Sequence, residues 1–261
     1  MRTHLMLTTT FATIATLATV APAPAQDVHF TKNLAAGDRL EISNINGNID
    51  VTRAAGRLAE VTATKIVKKG DGTLVKAIME DGGSGMRVCT IYINHDPNRR
   101  SCDGDNNNSG RGRDTFEVEM HYIVRVPAGA KLNVDDVNGN VTVTGADADS
   151  KIETVNGDVI FDGVGASSLQ TVNGKIVATF SGATWQGTMS VQTVNGSVEL
   201  TFPADLSADV SGETVSGNIN SSFPITIDQG FGPKSFTGRI GAGGRKLKIE
   251  TVNGGIVLRK R

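Results

Sequence analysis

The stretch Glu153–Phe161, which reads ETVNGDVIF, recurs along the chain and decides its fold. Copies of the same frame begin at Asp135, Gln170, Gln192, Glu213 and Glu250, and an outlying copy, SNINGNIDV, begins at Ser43. Self-similarity at a nearly fixed period is the sequence signature of a repeat architecture, in which each unit stacks on its neighbours. We therefore predict the fold from the repeat.

Each copy contains a polar residue followed by glycine, and we call this pair the corner. The corners are Asn138-Gly139, Asn156-Gly157, Asn173-Gly174, Asn195-Gly196, Ser216-Gly217 and Asn253-Gly254. A degenerate copy around Thr237-Gly238 divides the long interval between the last two corners. Glycine reaches positive φ without steric cost, and asparagine tolerates it better than most residues. The pattern predicts a sharp bend in every repeat, with each corner glycine at positive φ.

Apolar residues keep fixed offsets from the corner, and the steps after it alternate as in a strand with one buried face. The residues just before the corner, such as Val155, Val172 and Val194, are predicted to form a buried ladder. The fold predicted is all-β: a parallel β-solenoid of about seven regular coils plus an irregular N-terminal β part. The alternative is an antiparallel meander, because Asn-Gly between alternating apolar residues is also a strong hairpin signal.

The chain divides into three parts. Residues 1–25 resemble a signal peptide, with Arg2 before an apolar segment and a small-residue cleavage site ending at Ala25. Residues 26–127 form the irregular β part and include a polar insert at 94–114, which we expect to be mobile. Residues 128–261 form the solenoid, continuous with the preceding part, or a second domain divided from it near Pro127. The coil Lys246–Lys260 is predicted to end the rod, with basic residues protecting its edge.

Composition excludes some partners. The chain has 26 Lys and Arg against 27 Asp and Glu, so its net charge of −1 gives no reason to expect nucleic acid as a partner. No long apolar run follows residue 25, so no transmembrane segment is expected after signal cleavage. We expect an exported monomer that is periplasmic, on the cell surface or secreted.

The candidate site residues are structural. Cys89 and Cys102 are the only cysteines, and an even count in an exported chain predicts a disulfide. The segment Asp103–Ser109 resembles part of a calcium loop, but a solvated loop is the better interpretation because Asn108 stands where the glycine is needed. Trp185 is expected to pack on a coil. The sequence indicates no catalytic residue, no cofactor and no metal site.

Residues three before each corner form a series of acids and amides. They are Asp135, Glu153, Gln170, Gln192, Glu213 and Glu250. Stacked coils would align them in an outward ladder, which the repeat alone explains. Paired carboxylates could also serve a glycosidase, but two glutamines interrupt the series and aromatic residues are few.

The segment VPAGAKLNVDDVNG from Val126, followed by serial TVNGxV copies, resembles the bacterial toast-rack family, whose members are often labelled putative adhesins. The resemblance implies a β-solenoid-like envelope protein without a known enzymatic activity. Some relatives are linked to envelope-stress systems through membrane-spanning partners. The expected function is therefore non-enzymatic and adhesin-like or scaffolding, with an envelope protein or polymer as partner. The alternatives are a polysaccharide-active β-helix enzyme and an accessory protein in envelope-stress sensing.

Overall fold

A computed structural model of the chain describes residues 26–93, 98–103, 116–183, 185–228 and 232–261. The signal peptide predicted for residues 1–25 and most of the insert at 94–114 lie outside these ranges. Within them, no helix is long and apolar enough to span a membrane. In the described residues, the only helical element is a short 3₁₀ helix, Gly72–Leu74, and all other elements are strands.

The strands are numbered in chain order. They are β1 (Gln26–Asn33), β2 (Arg39–Ser43), β3 (Ile49–Arg53), β4 (Leu58–Lys69), β5 (Val75–Asp81), β6 (Gly85–Tyr92), β7 (Glu117–Val126), β8 (Lys131–Asp135), β9 (Val141–Ala146), β10 (Ser150–Glu153), β11 (Val159–Gly163), β12 (Ser168–Gln170), β13 (Ile176–Phe180), β14 (Thr188–Asn195), β15 (Val198–Phe202), β16 (Ala208–Ser216), β17 (Ile219–Ser221), β18 (Thr226–Asp228), β19 (Lys234–Ile240), β20 (Arg245–Asn253) and β21 (Ile256–Lys260). The segment Leu74–Glu80, which the sequence leaves open between helix and strand, is mostly β5.

Two large sheets face each other across one core. The first has ten strands in the order β1-β4-β7-β3-β9-β11-β13-β15-β21-β17. The second has eleven strands in the order β18-β19-β16-β20-β14-β12-β10-β8-β2-β6-β5. Each coil gives one strand to each sheet, and the corner joins them. Neighbouring coils pair in parallel, as Val159 does with Val141 and Ile176. The predicted parallel solenoid is confirmed, and the hairpin alternative is wrong.

The core lies between the sheets: residues three and five positions after the corners supply its first-sheet side, and inward residues such as Ile152 and Val191 supply its second-sheet side. Val159, Val198 and Leu200 are fully buried there. The rings of Phe180 and Phe202 stack with their centroids 4.7 Å apart, so like residues of successive coils form ladders. Trp185 is also buried, and its indole Nε1 donates a 3.0 Å hydrogen bond to the carbonyl of Lys246. Its predicted packing role is confirmed.

The residues just before the corners are not buried, and that prediction is wrong. Val155, Val172 and Val194 are each 38 or 39% exposed. The buried residues at the corner are instead the threonines one position earlier, because the strand alternation continues up to the corner. Thr171 and Thr193 donate hydrogen bonds of 2.9 Å to the carbonyls of Gly157 and Gly174 in the preceding coil.

The corner glycines do not adopt positive φ, so that prediction is also wrong. Among the glycines that follow a corner asparagine, only Gly47 of the outlying copy has positive φ within the described chain. The others are required for a different reason. A Cβ on Gly157 would lie 1.9 Å from the carbonyl oxygen of Gly139, and one on Gly174 would lie 2.0 Å from that of Gly157. Stacked corners approach so closely that no side-chain atom fits between them.

The last coil in the sequence is not the last coil in space. Strands β20 and β21 lie between β14/β15 and β16/β17, and they pair in parallel on both sides. The predicted end position of Lys246–Lys260 is therefore wrong. The copy around Thr237-Gly238 is not a coil either, because β19 pairs antiparallel with β16 and β18. An antiparallel extension at one end of the second sheet replaces the coil that the spacing suggested.

Candidate functional site

The corner asparagines form a continuous ladder of side-chain hydrogen bonds along one edge of the solenoid. Each Nδ2 donates to the Oδ1 of the next asparagine at 2.8 Å, in the order Asn253, Asn195, Asn173, Asn156, Asn138 and Asn46. The amide of Asn46 then donates to the hydroxyl of Tyr92 at 3.2 Å. All amides point the same way, and aligned hydrogen bonds polarise one another. The ladder therefore has a direction and ends at Tyr92.

A cavity of about 440 Å³ opens at this end of the ladder. We call it the ladder-end groove. Its walls include Asn46, Asn48, Tyr92, Phe116, Glu117, Glu119 and His121. The first two residues come from the outlying repeat, Tyr92 ends β6, and the last three side chains alternate along β7 and share one face. The irregular N-terminal part thus supplies most of the walls of the groove, and Asn138 of the regular repeat completes them.

Two half-buried aromatic rings form part of the groove. The ring centroids of Tyr92 and Phe116 are 6.0 Å apart with an interplanar angle of 32°. Burial raises the pKa of the Tyr92 hydroxyl, although the hydrogen bond from Asn46 opposes the increase. The hydroxyl therefore stays protonated at neutral pH and can donate a hydrogen bond into the groove. The rings offer apolar surface directly beside a row of amides.

Glu119 and His121 form a fixed polar pair on the opposite wall. The backbone N–H of Asn48 donates to His121 Nδ1 at 3.3 Å, and His121 Nε2 lies 3.0 Å from Glu119 Oε2. The hydrogen bond from His121, aided by Lys68 at 3.5 Å, lowers the pKa of Glu119. Glu119 is consequently an ionised acceptor. The carboxylate can accept hydrogen bonds from donors such as hydroxyl groups.

A buried carboxyl group lies behind the groove. Asp136 occupies the inner position that threonine takes in other coils, and it is only 5% exposed. Neither of its oxygens has a well-aligned hydrogen bond within the described chain. Burial raises its pKa to about 7, opposed in part by the Val137 amide, Asn44 and His121. Nearby, Thr90 bonds both Asn44 Oδ1 and the Tyr122 hydroxyl at 2.8 Å.

Of the predicted corner residues, Asn138 lines the groove, and the other asparagines form the ladder that leads to it. The acid and amide series stacks in register, with Gln192 Nε2 donating to Glu250 Oε2 at 2.8 Å. Two of its acids are paired to lysines, Glu153 to Lys151 at 2.9 Å and Glu250 to Lys248 at 2.6 Å, as on an ordinary charged face. Among the described residues, no group of three or more potential metal-ligating side chains converges.

The disulfide joins Cys89 on β6 to Cys102, with their Cα atoms 5.8 Å apart. It attaches the described end of the insert to the second sheet, where Asp103 also contacts Arg87 Nη1 at 2.6 Å. The rest of the calcium-like segment, Asn106 to Ser109 included, lies outside the described residues. Sequence reasoning missed Tyr92, Phe116, Glu119 and His121, because none belongs to the repeat; the alternation of Glu117, Glu119 and His121 on a strand was the only available signal.

The fold and the groove define a two-sheet parallel β-solenoid whose irregular N-terminal coils form a polar and aromatic recess. The chain belongs to the family described as Toastrack DUF4097, whose model matches residues 26–259. This confirms the resemblance seen in the sequence. Nothing in the family match assigns a reaction or a ligand to the groove.

The solved structures that match this chain share little sequence with it. A "putative cell adhesion protein" from Clostridium sporogenes has 11% identity and a TM-score of 0.46, over 90% of this chain and 100% of that one. A "putative adhesin" from Bacteroides fragilis has 11% identity and a TM-score of 0.36, over 90% and 97%. A "putative lipid binding protein" from Parabacteroides distasonis has 10% identity and a TM-score of 0.28, over 88% and 96%. Among curated proteins, none matches this sequence.

Proposed function

We propose that this chain is an exported, non-enzymatic, adhesin-like protein of the cell envelope that binds a hydroxyl-rich polymer in the ladder-end groove. The observation that carries the proposal is the groove itself, where aromatic rings, amides and an ionised carboxylate converge on one recess. Amides and carboxylates bind hydroxyl groups, while rings cover the apolar faces of sugars. Carbohydrate chains of the envelope present both kinds of surface.

Export is supported by two features of the sequence and structure. The first 25 residues have the order of charged, apolar and small residues that signal peptides have. The disulfide between Cys89 and Cys102 fits an oxidising compartment. Binding to an envelope polymer is compatible with both the periplasm and the cell surface.

A polysaccharide-active enzyme is the second candidate, because Glu117 and Glu119 stand on one face of β7 beside the aromatic rings. Glycoside hydrolysis needs a carboxylic acid that stays protonated, usually with a raised pKa. The pKa of Glu119 is lowered by its contact with His121. That direction suits an acceptor for ligand hydroxyls and not a general acid, so binding is the better-supported function.

The proposal is tested by binding of the full chain to isolated envelope polysaccharide. Tyr92→Ala and His121→Ala should each weaken binding about tenfold, as expected when a central aromatic or polar anchor is truncated. His29→Ala is the matched control, because that histidine is exposed on β1 and bonds only Thr62 among its described contacts. Undiminished binding by both groove variants would refute the groove as the site. Turnover of the polysaccharide that is lost in Glu119→Gln would favour the enzyme instead.

A further inference from the structure

The C-terminal coil fills an internal slot that the rest of the chain leaves open. In the second sheet β20 lies between β14 and β16, and in the first sheet β21 lies between β15 and β17. Both neighbouring coils precede it in the sequence. The chain therefore passes from β15 to β16 across the slot, forms β18 and β19, and then returns to fill it.

The contacts that hold this coil repeat those between the regular coils of the middle of the solenoid. Thr251 Oγ1 donates to the carbonyl of Gly196 at 2.9 Å, and Thr214 Oγ1 donates to that of Gly254 at 2.8 Å. The strands on both sides continue in register, with Ile249 beside Val191 and Gly212. These contacts are made by the coil and the two walls of the slot alone. They would be the same if another molecule supplied the coil.

The covalent connection to the coil is a glycine-rich loop at the surface. Gly241, Gly243 and Gly244 have φ values of 56°, 72° and 106°. One carboxylate bonds both ends of the loop. Asp209 accepts hydrogen bonds from the Gly244 N–H at 3.0 Å and from Arg239 Nε at 2.9 Å. A coil that follows both of its neighbours in the sequence, an internal site for it and a short hinge are the elements of segment exchange between identical chains.

We propose that the slot accepts the C-terminal coil, Arg245–Lys260, of a second copy of this chain, so that two copies exchange coils and form a dimer. The partner is identified by the slot, because both walls are in register with this sequence and Trp185 bonds the carbonyl of Lys246. The chain's own coil is favoured at low concentration by its tether. Exchange is therefore expected at high chain concentration or when the closed loop is strained.

Cysteines across the slot wall test the exchange. Ser190 on β14 pairs in register with Lys248 on β20. Full chains carrying Ser190→Cys or Lys248→Cys are unfolded together, refolded at high concentration and oxidised. A disulfide-linked heterodimer, identified by intact mass without reduction, is expected. A chain carrying both substitutions shows that the geometry permits the bond, since it should close within the monomer.

The matched control uses Glu153→Cys and Gln170→Cys, which pair in register on β10 and β12 of successive coils. These coils follow each other directly in the chain, so exchange should not bring the two cysteines together between molecules. A heterodimer from the slot pair at least fivefold above this control is the expected result. Equal yields from both pairs would overturn the proposal.

A hinge variant tests the same proposal without cysteines. A Cβ on Gly243 would lie 2.8 Å from Asp209 Oδ1, at a φ that branched residues disfavour. Gly243→Val should therefore strain the closed loop and raise the dimer fraction several-fold in light scattering. Gly83→Val places the same strain, at φ 71° with no close neighbour for its Cβ, in the β5–β6 turn outside the slot and the hinge, and should remain monomeric. A monomeric Gly243→Val chain that keeps its fold would overturn the exchange.

Discussion

The middle of the solenoid and its N-terminal end place different groups at the same inner corner position. In the middle, Thr171 and Thr193 fill the position with hydroxyl groups that donate to glycine carbonyls. At the end, Asn44 and Asp136 take the same position, and Asp136 is buried without a well-aligned partner among the described residues. The repeated coils use a neutral donor that needs no ionisation. The end that forms the groove keeps a titratable group instead, at a cost in stability that depends on pH.

The largest effect should come from the glycine contact that the regular coils share. Gly254→Ala would place a Cβ 1.9 Å from the Gly196 carbonyl oxygen, whereas Gly255→Ala would place one 3.2 Å from that of Asn218. We expect the first variant to lose more than about 4 kcal/mol or to fail to fold, and the second to lose less than about 1 kcal/mol. Urea unfolding measures both. Similar losses for the adjacent glycines would show that backbone contact is not what fixes the corner.

Replacing Asp136 at the N-terminal end should change how the free energy of unfolding depends on pH. Because the folded-state pKa of Asp136 is about 7 and its ordinary value is 3.8, the folded state retains a proton between these values that the unfolded state releases. Stability should fall as pH rises from about 4 to about 7 and then level. Asp136→Thr should remove this decrease in stability. It should raise the free energy of unfolding by up to about 4 kcal/mol at pH 8 and by little at pH 4.

The measurement is the free energy of unfolding in urea from pH 4 to pH 8. Asp162→Asn is the control, because Asp162 is exposed on β11 and its variant should keep the parent profile. A profile unchanged by Asp136→Thr would mean that another group produces the pH dependence. The comparison also separates stability from binding, because Asp136 lies behind the groove and not on its wall.

The smallest effect should distinguish two neighbouring residues in one regular coil. Thr171→Val removes the hydroxyl that bonds the Gly157 carbonyl and should cost about 1 to 2 kcal/mol. Val172→Thr changes a side chain that is 38% exposed and should stay within about 0.5 kcal/mol. Thermal unfolding of the two variants is a sufficient test. A greater loss of stability in Val172→Thr than in Thr171→Val would support the buried valine ladder that the sequence predicted.

Periodicity predicted the fold because each coil repeats the same burial pattern. The offsets of Val159 and Ile176 from their corners were enough to predict parallel stacking in register. The same reasoning failed at Val155, because an apolar residue can recur on a solvent-facing ladder as regularly as in a core. It failed at Gly157 because a glycine can be needed either for a positive φ or for close approach of another backbone segment, and the sequence looks the same in both cases.

The groove and the strand order could not be predicted for a different reason. Tyr92 and Phe116 come from opposite sides of the insert, so only the pairing of β6 and β7 with the outlying coil brings them together. Similarly, every repeat carries the same stacking pattern, so nothing in the coil at Arg245–Lys260 specifies which neighbours it joins. The antiparallel strands β18 and β19, which form no coil, separate β17 from β20 in the sequence, and the repeat does not predict them.

The internal position of the last coil makes the fold sensitive to the completeness of the chain. In a solenoid built strictly in sequence order, a truncated product lacks one terminal coil and is otherwise intact. Here a chain that stops at Gly244 has a gap through both sheets, with the edges of β14, β15, β16 and β17 unpaired. Such edges invite proteolysis and aggregation. The coil Arg245–Lys260 therefore acts as a keystone, since both sheets are continuous only when that one coil is in place.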